Sequence, residues 1–286
     1  MSAVAGSRST LTVVVVYPDL LGTYGDGGNG LILARRARWR GVEVDLVQAP
    51  SDRPLPRADL YCLGGGEDGP QVRAATTLIA DGTLARAVAD GAVVLGVCAG
   101  FQLLGREFPD AADRPHDGLG LLDVTTRKGT DRRAVGELVA TVEDDAPHGS
   151  DGSPLPMLTG FENHGGVTTI GSGAAPLARV ITGIGNGGGD GTEGAWNGRV
   201  VGTYLHGPVL ARNVALADLL LGWALAARGE SLPPVTLDDT EESALRADRL
   251  ARVGASRSSI RAGWARRLRR GLRGGAGRAA DRPDPA

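Results

Sequence analysis

Three short apolar runs in the first half of the chain constrain its fold more than any other feature. They cover Leu11–Val16, residues 58–63 and residues 92–97, and stretches with helical patterning separate them. Such runs are typical of parallel strands that are buried on both faces of a sheet. The alternation predicts an α/β fold with a doubly wound, mostly parallel sheet flanked by helices.

The order of these segments also predicts where a ligand would bind. Ligands of such sheets lie beyond the carboxyl ends of the strands, where we expect the loops 17–30 and 64–70 and the turn at Cys98. Helices are predicted at about 29–40, 71–90, 101–107 and 209–227, and further strands at about 42–47, 120–126, 136–142 and 200–204. We expect one domain over residues 11–230, a helical, basic extension over 231–273 and a disordered tail over 274–286.

Composition excludes several classes of protein. The chain has 286 residues, of which 42% are hydrophobic and 22% charged, so it is neither wholly disordered nor collagen-like. No stretch approaches the ~18 consecutive apolar residues of a membrane-spanning helix. Cys62 and Cys98 are too few for a disulfide framework or a structural zinc site. We expect a cytoplasmic enzyme without a metal site.

Charge is distributed unevenly along the chain. Residues 257–286 carry nine Arg and two Asp, a net of +7, so the total of −2 leaves −9 on the first 256 residues. An acidic body argues against nucleic-acid binding. Within the basic segment, apolar residues recur every four positions at Ile260, Trp264, Leu268 and Leu272. This pattern predicts a short amphipathic helix that is solvated, docks on a partner, or lies on an anionic membrane surface.

The turn after the strand at 92–97 carries the strongest chemical signal. The strand delivers Cys98 into a sharp turn, and a helix is predicted directly after it. Small neighbours at Gly96, Ala99 and Gly100 permit the strained backbone of a nucleophile elbow, and a helix N-terminus stabilises a thiolate. The alternative is a buried structural cysteine, which is the role we predict for Cys62 because it lies within a strand.

A cysteine nucleophile needs a general base, and the chain has four histidines. His206 follows a strand and precedes a helix, which places it at the edge of the sheet where Cys98 is expected. His164 is the second candidate. His116 and His148 lie in polar loops, where we expect them to be exposed and inert.

Three consecutive glycines, Gly64, Gly65 and Gly66, follow the strand at 58–63. Consecutive glycines allow backbone N–H groups to converge on an anionic oxygen, as an oxyanion hole requires. The alternatives are a flexible connector and a phosphate cradle. A nucleotide-binding loop is not indicated, because no lysine follows and Lys128 is the only lysine in the chain.

The sequence around Cys98, together with segments 160–166 and 202–208, resembles class I glutamine amidotransferases of the CobB/CobQ-like branch. Segment 17–29 resembles more particularly the glutaminase subunits of lipid II isoglutaminyl synthases, and the likeness covers roughly residues 11–230. It implies a subunit that supplies ammonia from L-glutamine to a Mur-ligase-like partner, MurT, within a heterodimer. That partner would amidate the D-Glu α-carboxyl of lipid II during peptidoglycan synthesis. The resemblance places ATP and Mg in the partner and implies no cofactor in this chain.

The resemblance also implies roles for individual residues. Cys98 would attack the side-chain amide of glutamine, and His206 would activate the thiol and protonate the departing ammonia. The oxyanion hole would be formed by the N–H groups of Gly65, Gly66 and Ala99. Substrate would be bound by Gln102 and by an arginine in a Thr-x-x-Arg-x-x-Gly stretch, here Arg133 with Arg132 as its rival.

One position departs from the pattern of triad amidotransferases. Those enzymes usually carry an acid two residues after the histidine, and this chain has Pro208 there. Without an orienting acid the His206 imidazole is poorly held. We therefore expect a weak isolated glutaminase, whose activity rises when the ligase partner supplies the acid.

Three alternatives stay open on the sequence. Cobyrinic and cobyric acid amidotransferases are the nearest, although they fuse this domain to an ATP-binding domain that this chain does not match. A non-catalytic scaffold paralogue would carry a vestigial elbow. A DJ-1-like cysteine protein would leave segment 202–208 unexplained.

Overall fold

The computed structural model describes residues 10–130, 133–143, 145–149 and 152–254. Its strands are β1 (Leu11–Val16), β2 (Val44–Ala49), β3 (Leu60–Leu63), β4 (Val93–Val97), β5 (Glu107–Pro109), β6 (Pro115–Asp117), β7 (Val124–Lys128), β8 (Ala134–Val142), β9 (Leu158–His164), β10 (Gly166–Ile170), β11 (Ala178–Thr182), β12 (Thr192–Glu193), β13 (Ala195–Asn197) and β14 (Val200–Thr203). Its helices are α1 (Gly28–Trp39), α2 (Asp68–Asp81), α3 (Thr83–Ala89), α4 (Ala99–Leu104), α5 (Val209–Arg212), α6 (Val214–Ala227) and α7 (Thr240–Arg252).

A six-stranded sheet with the order β13-β14-β4-β3-β1-β2 forms the centre of the molecule. The five strands from β14 to β2 are parallel, and β13 runs antiparallel at one edge. Every residue of β3 and β4 is buried, because helices flank the sheet. The predicted α/β fold with a doubly wound, mostly parallel sheet is confirmed.

Two four-stranded sheets, β10-β7-β5-β6 and β12-β11-β8-β9, are built mainly from antiparallel pairs. β9, β10 and β11 were not expected, because polar residues interrupt their apolar pattern. In β9, for example, Glu162 and His164 are buried although their residue types favour solvent. The Glu162 carboxylate accepts hydrogen bonds from Ile184 and Gly185 N–H, which lie outside β9.

Two predicted helices are each broken into a pair. The segment 71–90 divides into α2 and α3 at Gly82, whose φ of +65° is left-handed and ends a helix. The segment 209–227 divides into α5 and α6 at Asn213, whose side chain hydrogen-bonds the backbone of Thr159. The helix predicted at 101–107 is α4, which ends earlier, and β5 begins at Glu107.

A buried ion-pair cluster attaches the C-terminal extension to the domain. Arg36 of α1 is 2% exposed and binds both Asp218 of α6 and Asp239, the residue before α7. On α7 itself, Arg249 lies 3.7 Å from Glu137 of β8. Because a buried guanidinium needs carboxylate partners, the start of α7 is held against α1 and α6.

Residues 255–286, which include the predicted amphipathic helix and tail, lie outside the described residues. Among the helices of the described ranges, none combines the length and the apolar character needed to cross a membrane.

Candidate active site

Cys98 occupies the sharp turn between β4 and α4. Its φ of +53° is uncommon for a residue with a side chain, and strain of this kind is typical of a nucleophile elbow. A Cβ on Gly96 would lie 2.8 Å from the Gly100 backbone, and one on Gly100 would lie 2.6 Å from Leu63 O. The backbone is therefore that of the predicted elbow, and it needs the small neighbours that the sequence supplies.

The glycine turn after β3 lies directly against the elbow. Gly100 N–H donates to Gly64 O at 3.0 Å, which ties the two turns together. Gly65 N–H donates to Asp26 Oδ2 at 3.1 Å, so this donor is already engaged. The contact argues against Gly65 as an oxyanion-hole donor, whereas the roles of Gly66 and Ala99 stay predictions.

His206 follows β14 and reaches the same edge of the sheet. Its Nδ1 lies 2.9 Å from Asp26 Oδ2, and both side chains are buried. Burial lowers the pKa of His206, but interactions with Asp26 and with the Cys98 thiol outweigh burial and raise the pKa to about 10. The expectation that this chain holds no acid against His206 is therefore wrong. The acid comes from the loop after β1, not from position 208.

A cavity of about 430 Å³ opens beside the elbow, and its wall contains Cys98, Gln102, Arg133 and His164. Arg133 donates from Nε and Nη2 to Asn163 Oδ1 and O, at 2.6 and 3.0 Å. The structure thus brings Arg133, the favoured candidate, to the same cavity as the thiol. The rival Arg132 lies outside the described residues.

Gln102 is held in one orientation by a chain of buried hydrogen bonds. Gln71 Nε2 donates to Gln102 Oε1 at 2.8 Å, and Gln102 Nε2 donates to Tyr204 OH at 3.2 Å. Tyr204 OH also lies 2.7 Å from Thr168 Oγ1. These contacts fix the position of the Gln102 amide at the cavity wall.

The second candidate base, His164, has a different environment from His206. Its ring stacks on Tyr204 with centroids 3.7 Å apart, and its Nδ1 lies 3.0 Å from Gly166 O. Its Nε2 lies 3.7 Å from Glu162 Oε2. His164 therefore lines the cavity with its Nδ1 beside a backbone carbonyl, whereas the Nδ1 of His206 lies beside the Asp26 carboxylate. Because a carboxylate can orient and stabilise a catalytic imidazole, this difference favours His206 as the base.

The surroundings of the remaining candidates, His116, His148 and Cys62, give no support for a catalytic role. His116 is only partly exposed and its Nε2 lies 3.1 Å from Asp110, so the expectation that it is exposed is wrong, while His148 is exposed as expected. Burial raises the pKa of the Cys62 thiol to about 12, which agrees with a structural cysteine. In the described ranges no group of three or more His, Cys, Asp or Glu side chains could hold a metal ion.

Sequence reasoning missed three residues that organise the site, namely Asp26, Gln71 and Asn163. Asp26 carried a usable signal, because it stands in the glycine-rich loop that was expected at the ligand-binding edge. Gln71 and Asn163 carried none, since each acts through a partner about 30 residues away in sequence.

Comparison with known proteins covers most of the chain. Residues 12–214 match the CobB/CobQ-like glutamine amidotransferase domain. The chain is 34% identical to "Lipid II isoglutaminyl synthase (glutamine-hydrolyzing) subunit GatD" of Staphylococcus aureus (strain N315), over 81% of this chain and 91% of that protein. The subunit of the same name from Streptococcus pneumoniae (strain ATCC BAA-255 / R6) is 35% identical over 75% of this chain and 80% of that protein.

Two further similarities are more limited. A cobyric acid synthase of Pelotomaculum thermopropionicum (strain DSM 13744 / JCM 10971 / SI) is 40% identical, but over 51% of this chain and 28% of that protein. A crystal structure of a glutamine amidotransferase superposes with a TM-score of 0.51 at 21% identity, over 74% of this chain and 98% of that chain, which shows a shared fold. With the domain match and the two relatives of the same name, the chain belongs to the CobB/CobQ-like glutamine amidotransferase family.

Proposed function

We propose that this chain hydrolyses L-glutamine at Cys98 and supplies the ammonia to a Mur-ligase-like subunit, MurT. That subunit would use ATP to amidate the D-Glu α-carboxyl of lipid II, which yields D-isoglutamine for peptidoglycan. The observation that carries the proposal is a cysteine elbow facing His206 beside a polar cavity. It stands in a chain that resembles GatD subunits over most of its length.

The reaction has two stages. With its thiol proton held by His206, Cys98 Sγ attacks the side-chain carbonyl carbon of glutamine, and the N–H groups of Gly66 and Ala99 hold the oxyanion. The C–N bond then breaks as His206 returns the proton to nitrogen. Ammonia departs, and a γ-glutamyl thioester stays on Cys98. In the second stage water attacks the thioester with His206 as base, which releases glutamate and the free thiol.

The cavity supports an amino-acid substrate. Its wall carries the cationic side chains of Lys128 and Arg133 and the carboxylates of Asp68 and Asp110. A free amino acid has one carboxylate and one ammonium group, so such a wall can pair with both. We assign the α-carboxylate to Arg133, because a guanidinium grips a carboxylate with two parallel hydrogen bonds. Gln102 would hydrogen-bond the substrate through its oriented amide.

The existence of a partner is supported by the relatives, which are named as subunits. The expected ligase holds ATP and Mg and activates the acceptor carboxyl, and ammonia from Cys98 completes the amidation. Since lipid II is anchored in the membrane, this heterodimer would work in the cytoplasm at the inner face of the cell membrane. The second candidate function, corrinoid amidation, rests on the similarity to a cobyric acid synthase. This chain covers less than a third of that protein.

The test follows nitrogen from donor to acceptor. Purified wild-type protein and the Cys98→Ala variant are given glutamine labelled with ¹⁵N in the side-chain amide, alone and with co-expressed MurT, ATP, Mg and lipid II. We expect glutamate release and ¹⁵N-labelled isoglutamine with wild type and neither product with the variant. A parallel mixture holds a cobyrinic acid acceptor in place of lipid II, and label in that acceptor would support the corrinoid alternative. If the complete mixture with wild-type protein yields neither glutamate nor labelled isoglutamine, the proposal is wrong.

A further inference from the structure

The loop between β1 and α1 places a carboxylate against the proposed base. Asp26 is 180 residues before His206 in sequence, yet its Oδ2 lies 2.9 Å from His206 Nδ1. The Asp26 side chain is 0% exposed. The same oxygen accepts the Gly65 N–H at 3.1 Å. One buried oxygen therefore joins the proposed base to the glycine turn beside the elbow.

The surroundings of this pair leave it little freedom. A Cβ on Gly65 would lie 2.9 Å from His206 Cε1 and 3.2 Å from Asp26 Oδ2, so the pair fits only above a glycine. The Tyr24 ring lies 5.0 Å from the His206 ring, and its Cδ2 would lie 2.8 Å from the same Cβ. Charges that are enclosed in this way interact more strongly than charges in water. The loop thus forms a closed seat for the imidazole.

We propose that Asp26 is the positioning residue for His206, so that this chain carries a complete Cys98–His206–Asp26 triad without an acid from a partner. The inference rests on the proposed glutaminase function, which it deepens. Position 208, where triad amidotransferases usually carry their acid, is proline here, and Asp26 fills the same role from the opposite end of the chain.

The chemistry assigns each nitrogen of His206 a task. Asp26 Oδ2 accepts the Nδ1–H, which selects the tautomer and leaves Nε2 for the Cys98 thiol. When Nε2 takes the thiol proton, the carboxylate stabilises the imidazolium that forms. Asp26 itself touches neither the glutamine nor the reacting atoms. The titratable groups that face the ring are Asp26, Cys98 and Tyr24, whose hydroxyl donates to Glu67.

A purely structural role for Asp26 is the competing explanation, because its bond to Gly65 N–H also fixes the glycine turn. The two roles differ in what they do to His206. A positioning carboxylate raises the pKa of the imidazole, because it stabilises the charged form of the ring. A structural bond to Gly65 alone would leave that pKa unchanged.

The test uses Asp26→Asn in the full chain, which keeps the shape and one acceptor but removes the charge. Asp19→Asn is the matched control, since Asp19 lies in the same loop and binds Ser51, not His206. The first readout is an NMR titration of the four histidines, with the His206 signal identified by its loss in His206→Gln. We expect Asp26→Asn to lower the pKa of His206 by about 1 to 3 and Asp19→Asn to leave it unchanged.

The second readout is glutamine hydrolysis. We expect Asp26→Asn to lower kcat by about 10²- to 10⁴-fold with KM nearly unchanged and the pH profile displaced, and Asp19→Asn to keep wild-type kcat. Thermal unfolding of each variant shows whether it is folded.

Three outcomes would overturn the inference. A wild-type His206 whose pKa lies near the ordinary value for histidine would overturn it before any variant is measured. A folded Asp26→Asn protein with wild-type kcat and pH profile would do the same, as would equal losses in both variants with His206 titration unmoved. If wild type hydrolyses no glutamine, the proposed function fails, but the titration still decides the role of Asp26 because it needs no turnover.

Discussion

The six-stranded sheet and the two four-stranded sheets contribute to the candidate site in different ways. The six-stranded sheet supplies Cys98, His206 and Asp26, which follow β4, β14 and β1 at one edge. The four-stranded sheets supply Arg133 and His164 at the ends of β8 and β9, where they line the cavity. The proposed reactive groups thus follow parallel strands, and the proposed recognition groups lie at the ends of antiparallel strands. The following variants can break or sharpen this division.

The largest effect should come from Cys98, which follows β4 of the six-stranded sheet. We expect Cys98→Ala to lower glutaminase kcat by about 10⁴-fold or more, because it removes the nucleophile. Cys62→Ala is the control, since Cys62 is buried in β3 with no access to the cavity. Rates of glutamate release from both variants check this. Loss of turnover in folded Cys62→Ala would contradict the structural role of that thiol.

The next effect should come from a glycine at the edge of the same sheet. We expect Gly65→Ala to lower kcat by about 10²-fold, because the new methyl would lie 2.9 Å from His206 Cε1 and would displace the ring. Gly69→Ala is the matched control, as a Cβ there meets nothing within 4 Å. The comparison is made by steady-state kinetics. Equal activity of the two variants would show that the His206 seat tolerates displacement.

A third variant addresses the recognition side. We expect Arg133→Ala to raise KM for glutamine by about 10- to 100-fold, because it removes the charge-assisted hydrogen bonds of the guanidinium to the substrate carboxylate. Arg127→Ala, which removes a surface arginine paired with Glu107, should leave KM unchanged. Initial rates over a range of glutamine concentrations check both values. A fall in kcat with constant KM would move Arg133 from recognition to the reaction itself.

The smallest effect concerns stability at the junction of the two regions. Burial in β12 raises the pKa of Glu193 to about 7, although Thr203 Oγ1 and Tyr204 N–H donate to it. An unfolded chain would lose that proton near the ordinary value of about 4.5. Wild type should therefore lose free energy of unfolding as pH rises from about 4.5 to 7, by roughly 3 kcal/mol.

Glu193→Gln removes this titration and should flatten the pH dependence, whereas Glu43→Gln at an exposed site should not. Urea unfolding at several pH values measures the slope. An unchanged slope in Glu193→Gln would indicate that the buried carboxyl has an ordinary pKa.

The two regions also differ in how far the sequence predicts them. The parallel strands were predictable because their apolar runs are local, and the elbow was predictable because strand, small residues and helix are adjacent. β9 was missed because its buried Glu162 is satisfied by Ile184 and Gly185 N–H, about 20 residues away. A pattern within a short window contains no information about such a partner.

The acid against His206 was missed for a related reason. In triad amidotransferases the acid usually stands two residues after the histidine, and this chain has Pro208 there. The acid that contacts His206 in the structure is Asp26, which precedes it by 180 residues. The parallel sheet makes that contact possible, because it brings the carboxyl ends of β1 and β14 to one edge. Strand order, more than sequence spacing, therefore determines which loops can share a site.

The buried arginine beneath α7 has a consequence for how this protein could be shortened. Truncation after residue 230, the expected end of the amidotransferase domain, would remove Asp239 and leave Arg36 with Asp218 as its carboxylate partner. A buried charge that loses a partner is destabilised, so the free energy of unfolding should fall, although the two hydrogen bonds from Arg36 to Asp218 would stay. The extension thus helps to satisfy a buried charge of the domain, and a shortened glutaminase domain would depend on Asp218 for that task.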